Sequence, residues 1–211
     1  MKGLIFKDLY SIKKSLILWI IIVFIINYII PKTLGGAFNL LIIGTVIFMI
    51  QSIQGDRNCK WNRHSLTMPI TRKDIIKSKY ILMIILLVVF TLIAAISDIL
   101  LSVTIGTSLL TSITGTLNLS FWILLFTSTE IAFLYIMENP KSAGIMEVIF
   151  FLVLIGVYVL TKILINTMSL GYLLSYLEFY GLYILMILSI VISFISYMIC
   201  VKIYNKKDLA I

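Results

Sequence analysis

The chain has 211 residues, 61% hydrophobic and only 12% charged, with a formal net charge of +8. Soluble domains are nearer ~45–50% apolar and ~25% charged, so these charges are too few to cover the apolar surface in water. With two cysteines (Cys59 and Cys200) and one histidine (His64), the composition also excludes a disulfide framework and a multi-histidine metal site.

The excess apolar content lies in long runs, so the predicted fold class is an all-α integral membrane protein. Residues 3–14 open the chain as an amphipathic elbow helix. Ile5, Phe6, Leu9, Tyr10 and Ile12 share one arc, with Lys7, Asp8, Ser11 and Lys14 opposite. A basic face against an aromatic-aliphatic one suits a helix lying in the headgroup plane, with Lys13 and Lys14 stopping direct continuation into the membrane. The alternative is that this segment simply extends the first span.

Six apolar segments follow: Ser15–Ile30, Ala37–Ile53, Tyr80–Ile105, Leu117–Met137, Gly144–Leu164 and Phe179–Ile203. Each approaches the ~20 helical residues that cross a ~30 Å hydrocarbon core. The expected separators include Gln54–Lys79, Gly106–Thr116 and Asn166–Glu178. No small-x-small cleavage site follows Ile30, so the first span is expected to be retained. The chain reads as one membrane domain, 1–211, with spans one and two in 15–53. A cytosolic region over 54–79 follows, then spans three and four in 80–137 and five and six in 144–203.

Six crossings put both termini on one side. With that side inside, Lys32 and Lys162 are the only outer residues among the 17 lysines and arginines. This is a strong positive-inside signal, and it accounts for the basic balance without nucleic acid.

Gln54–Tyr80 is too long for a simple turn between antiparallel helices, where ~2–8 residues suffice. Thr71 followed by Asp74 reads as an N-cap, so a helix begins near Thr71 and flows through Ile75, Ile76 and Tyr80 into the third span. Upstream, Trp61, Leu66 and Met68 are apolar residues set among Arg57, Lys60, Arg63 and His64. That mixture fits either a solvated basic loop or a protein-docking surface.

The N-terminal run Met1–Tyr10, with Asp56, Lys60, Trp61 and the stretch Leu66–Tyr80, resembles small exporter-type ATP-binding-cassette permeases of low-GC Gram-positive bacteria. In these, the loop between spans two and three carries a tryptophan, then leucine-proline, a basic pair and lysine-tyrosine; here Met68 replaces the leucine before Pro69. The group it most resembles is the phenol-soluble modulin and antimicrobial-peptide exporter permeases. The resemblance implies a permease subunit in a bacterial plasma membrane, moving hydrophobic or amphipathic peptides outward. It implies no cofactor on this chain. ATP and magnesium would sit in a separate cytosolic ATPase, present in two copies beside a second permease copy or a sister permease. The absence of GxxxxGK[ST] agrees with that division of labour. Arg57, Lys60, Trp61, Arg63, His64, Leu66, Met68 and Pro69 become the candidate ATPase-coupling residues, with Trp61 and Leu66 as apolar anchors.

Charged groups inside spans default to functional hypotheses. Asp98 falls ~27 Å along the helix from Tyr80, near the outer interface. Glu130 and Glu147 flank the turn at Asn139-Pro140 and are expected at similar depth, anchoring a basic residue or forming a proton- or cation-responsive pair. Ser189, Ser193 and Ser196 have the small-residue spacing that lets helices approach closely. Two rival readings are a non-transporting scaffold or sensor and an intramembrane enzyme built on the two glutamates. No catalytic motif surrounds them.

Overall fold

The computed structural model describes residues 2–29, 38–59, 61, 71–105, 109–136, 152–153, 156 and 171–206. Among the described residues there is no strand. The helices are α1 (Lys2–Ile29), α2 (Asn39–Asn58), α3 (Arg72–Ile105), α4 (Leu109–Ile136) and α5 (Gly171–Lys206). All five are long and apolar enough to cross a membrane. The expected fifth span, Gly144–Leu164, lies almost wholly outside the described residues.

The helices form one bundle. α2 packs on α1, α3 and α4, while α5 packs on α4 and α3. The main core draws Leu4, Ile12 and Val23 from α1, Phe48, Met49 and Ile53 from α2, and Ile76, Tyr80, Leu82, Met83 and Phe90 from α3. Ile131 and Leu134 of α4 and Cys200 and Tyr204 of α5 complete it. A second cluster, Ile42, Val46, Ala94 and Ile123, seals α2, α3 and α4 further along. Lipid tails are as apolar as leucine, so close packing rather than apolar burial must hold such a bundle. Gly44 shows the fit between α1 and α2: a Cβ there would stand 2.5 Å from Trp19 Nε1.

Outward-facing side chains mark the depth. On α3 the exposed aliphatic residues run from Ile84 to Val103, a rise of ~28 Å that matches the hydrocarbon thickness. On α5 exposed Tyr180 and Tyr183 precede the exposed run Ile184–Ile199, as interfacial aromatics should.

Three expectations change. First, residues 3–14 are not a separate interfacial helix, because α1 is unbroken from Lys2 to Ile29. Lys13 and Lys14 lie on its exposed side, where they reach outward without interrupting the backbone. The buried stripe is Leu4, Asp8 and Ile12, whereas Phe6 and Tyr10 are 70% and 81% exposed. Second, Leu109–Thr116 is helical rather than a separator. Thr114 and Thr116 donate their hydroxyls to the Leu110 and Ile113 carbonyls at 2.9 and 2.8 Å, so polar composition does not break the turn. Third, α2 continues through Gln54 to Asn58 and α5 starts at Gly171, each beyond its expected apolar span.

The start of α3 follows the predicted cap. Asp74 N–H donates to Thr71 Oγ1 at 3.2 Å, and the Thr71 hydroxyl donates to Asp74 Oδ2 at 2.7 Å.

Candidate functional site

One end of the bundle gathers the start of α1, the end of α2, the start of α3 and the end of α5. Asp8 comes to it on the buried stripe of α1, one turn from Leu4 and from Ile12. Lys7 stands beside it. From α2, Ser52 and Asp56 are one turn apart on one face, and α3 supplies Lys79 just before the apolar span begins.

These groups close a ring of alternating charge. Lys79 Nζ is 2.9 Å from Asp8 and 2.6 Å from Asp56; Lys7 Nζ is 3.1 Å from Asp8 and 2.5 Å from Asp56. Each lysine therefore touches both carboxylates. Lys79 also donates to Ser52 Oγ at 2.7 Å, so all three ammonium donors have oxygen partners. Lys79 and Asp8 are 1% and 2% exposed, Asp56 and Lys7 17% and 28%. Burial of single charges at this depth would be prohibitive. Two of each sign, mutually paired, make it tolerable.

Further contacts brace the same end. Lys7 Nζ lies 4.2 Å from the centroid of the Trp61 ring, a cation–π contact. Gln51 donates to Ser15 Oγ at 2.7 Å, joining α2 to α1. Arg72 donates to the Tyr204 carbonyl at 3.2 Å, holding the end of α5 to the start of α3. Above it, the Tyr80 hydroxyl bonds Ser196 Oγ at 2.6 Å and Cys200 Sγ at 3.3 Å. Ser196 in turn donates to the Ser128 carbonyl of α4. Ser189 and Ser196 are both buried, and Ser196 makes the contact between α5 and α4. Ser189 and Ser193 both donate to carbonyls of their own helix.

Of the candidate coupling residues, Arg57 and Trp61 are described. Arg57 is half-buried near the end of α2. Trp61 is half-buried, packed on the main core with its ring facing Lys7. It thus has the core role that its sequence context did not reveal. Lys60, Arg63, His64, Leu66, Met68 and Pro69 lie outside the described residues. So does Glu147, which leaves the glutamate pair with one described member. Glu130 is buried on the α4 face that carries Thr127, Ile131 and Leu134. Asp98 is buried, on the α3 face of Ala94 and Ser102.

Asp8, Asp56 and Lys79 were not singled out from the sequence as site residues. Their partners are distant in the chain, and the only local hint was a carboxylate inside an otherwise basic N-terminal segment. The ring pairs every charge it contains. What it does is fasten three helices at the root of the 59–71 segment. No group of three or more potential metal ligands occurs among the described residues.

A family model described as "ABC-2 family transporter protein" matches residues 3–205. Neither the curated proteins nor the solved structures give a match.

Proposed function

Because the chain belongs to the ABC-2 family of transporter proteins, we propose that it is the membrane-spanning permease subunit of an ATP-driven exporter. It works with a separate cytosolic ATPase, two copies of which serve a pair of permease chains. The observation that carries this reading is the charge ring at the root of the segment between α2 and α3. A permease that takes its energy from a partner needs a place where a push on one loop reaches several helices together. Lys79, Asp56 and Asp8 tie α3, α2 and α1 at that root.

The coupling surface in this reading is Arg57–Pro69. Trp61 faces inward, so the ATPase-facing anchor falls to Leu66, with Lys60, Arg63, His64 and Met68 around it. Buried apolar anchors dominate such contacts, and rim charges contribute less. α4 and α5 run in the same direction, since Ser128 meets Ser196 and Tyr135 meets Tyr204. That favours a further crossing between them, and Gly144–Leu164 is the proposed one. Glu130 and Glu147 enter as anchoring groups. The proposed cargo is a hydrophobic or amphipathic peptide, exported across a bacterial plasma membrane.

The test is purification of the tagged chain in mild detergent, followed by ATP-driven uptake of a labelled amphipathic helical peptide into inverted vesicles. Wild type should retain an ATPase subunit and take up peptide. Leu66→Asp should lose the subunit while remaining inserted, and Glu130→Gln should keep both properties. A wild-type chain that retains no ATPase would defeat the proposal. Retention without peptide uptake would defeat the cargo assignment alone.

A further inference from the structure

We propose that α1 carries a binding site for an anionic phospholipid, in the leaflet at the charged end of the bundle. Lys13 and Lys14 hold its phosphate, and the face beyond them takes an acyl chain. The site stands apart from the permease reading and holds whatever the chain transports.

Both lysines are exposed charges that the protein itself does not answer. Among the described residues, the carboxylates at this end are committed elsewhere. Asp8 and Asp56 close the ring with Lys7 and Lys79, and Asp74 is drawn into the cap with Thr71. The counter-charge for Lys13 and Lys14 therefore comes from outside the chain.

Depth identifies its source. The outward aliphatic face of α1 begins at Ile17, so Lys14 and Lys13 lie ~4.5 and ~6 Å before it. The polar headgroup layer is ~5–8 Å thick on each side of the hydrocarbon, which puts both ammonium groups at phosphate level. Helical side chains lean toward the N-terminus, carrying these two away from the hydrocarbon rather than into it. Lys77 and Lys73 of α3 are exposed as well. There the exposed aliphatic run begins only at Ile84, ~10 and ~16 Å further on, so those two stand in water beyond the headgroups.

The face also has the outline of a lipid. At ~100° per residue, Tyr10, Ile17, Ile21 and Phe24 all fall within the arc that Lys13 and Lys14 bound. Tyr10 is exposed on the water side of the lysines, and Ile17, Ile21 and Phe24 are half-exposed on the hydrocarbon side. A headgroup meets the tyrosine hydroxyl, a phosphate lies between two cations, and a chain runs along the apolar strip. α1 is the least enclosed of the five helices, which leaves this face open to the bilayer. A zwitterionic headgroup brings its own cation, so the lysine pair selects a lipid of net negative charge.

The test strips lipid from the chain in a neutral detergent. Dioleoyl-phosphatidylglycerol, dioleoyl-phosphatidylcholine or inorganic phosphate is then added. Native mass spectrometry counts retained lipid, and the apparent unfolding midpoint is followed in parallel. Phosphatidylglycerol should bind saturably and raise the midpoint, whereas phosphatidylcholine and free phosphate should bind about fivefold or more weakly. Lys13→Gln with Lys14→Gln should weaken phosphatidylglycerol about five- to thirtyfold, as losing one or two lysine contacts with an anionic surface does. Lys73→Gln with Lys77→Gln removes the same charge at another depth and should bind like wild type. Equal losses in the two double variants, or equal binding of the two lipids, overturn the site. So does free phosphate that binds as tightly as the lipid, or a dimer that retains no phosphatidylglycerol and so gives the face to a second copy. If the Lys13 and Lys14 double variant does not fold, wild type in high salt replaces it. Salt should then release phosphatidylglycerol, and retention that ignores salt overturns the proposal.

Discussion

Lys79 is the residue on which the charged end of the bundle depends most. From α3, its ammonium contacts α1 and α2 together, through Asp8, Asp56 and Ser52. Lys79→Met keeps the stem and removes the charge, which leaves two carboxylates sharing only Lys7. Breaking a buried pair by deleting one partner typically costs about 3–5 kcal/mol, mostly from the uncompensated charge left behind. The apparent unfolding midpoint of the detergent-purified chain should fall accordingly. Adding Asp8→Asn restores neutrality and should recover much of the loss. If the double variant is no more stable than the single one, charge balance is not what the ring supplies. None of this was legible locally. Asp8 reads from the sequence as one more polar residue on a solvated arc, and only a partner on a distant helix makes its burial possible.

At the scale of elements, local chemistry was readable wherever both partners sit within one turn. Thr71 and Asp74 announce the start of α3 because the cap is completed inside four residues. Helix ends set by apolar content alone were misread. Ser and Thr hydroxyls that bond to the carbonyls of their own helix let α4 begin at Leu109, well before the apolar run. The same reasoning explains α1: a lysine pair on the exposed face does not stop a helix whose opposite face is packed. The seam between α1 and α2 carries a sharper prediction. Gly44→Ala forces a methyl against Trp19 and should cost about 1–3 kcal/mol through overpacking. The smaller ring of Trp19→Phe, added to Gly44→Ala, should relieve it. Unfolding midpoints of the two variants check this, and a Gly44→Ala protein as stable as wild type would show that the seam yields freely.

For the whole molecule, the question is which end of the bundle faces the cytosol. The start of α1 and the end of α5 lie at the same end, since the ring ties α1 to Lys79 and Arg72 holds the Tyr204 carbonyl. That end also carries Lys7, Lys13, Lys14, Arg57, Arg72, Lys73, Lys77 and Lys202, whereas Lys32 belongs to the opposite connection. Segments rich in lysine and arginine resist transfer across the membrane during insertion, so this end is predicted to stay inside. The structure adds a consistency that composition alone lacked. Residues assigned inside by charge come together in space, although they derive from four separate helices. Single cysteines at Lys32→Cys and Asn62→Cys, in a chain lacking Cys59 and Cys200, make the orientation measurable in intact cells. A membrane-impermeant maleimide should label the first and spare the second until the membrane is permeabilised. Labelling of Asn62→Cys from outside would invert the molecule. The ring would then lie on the extracellular face, where no ATPase could reach it, and the coupling assignment could not stand.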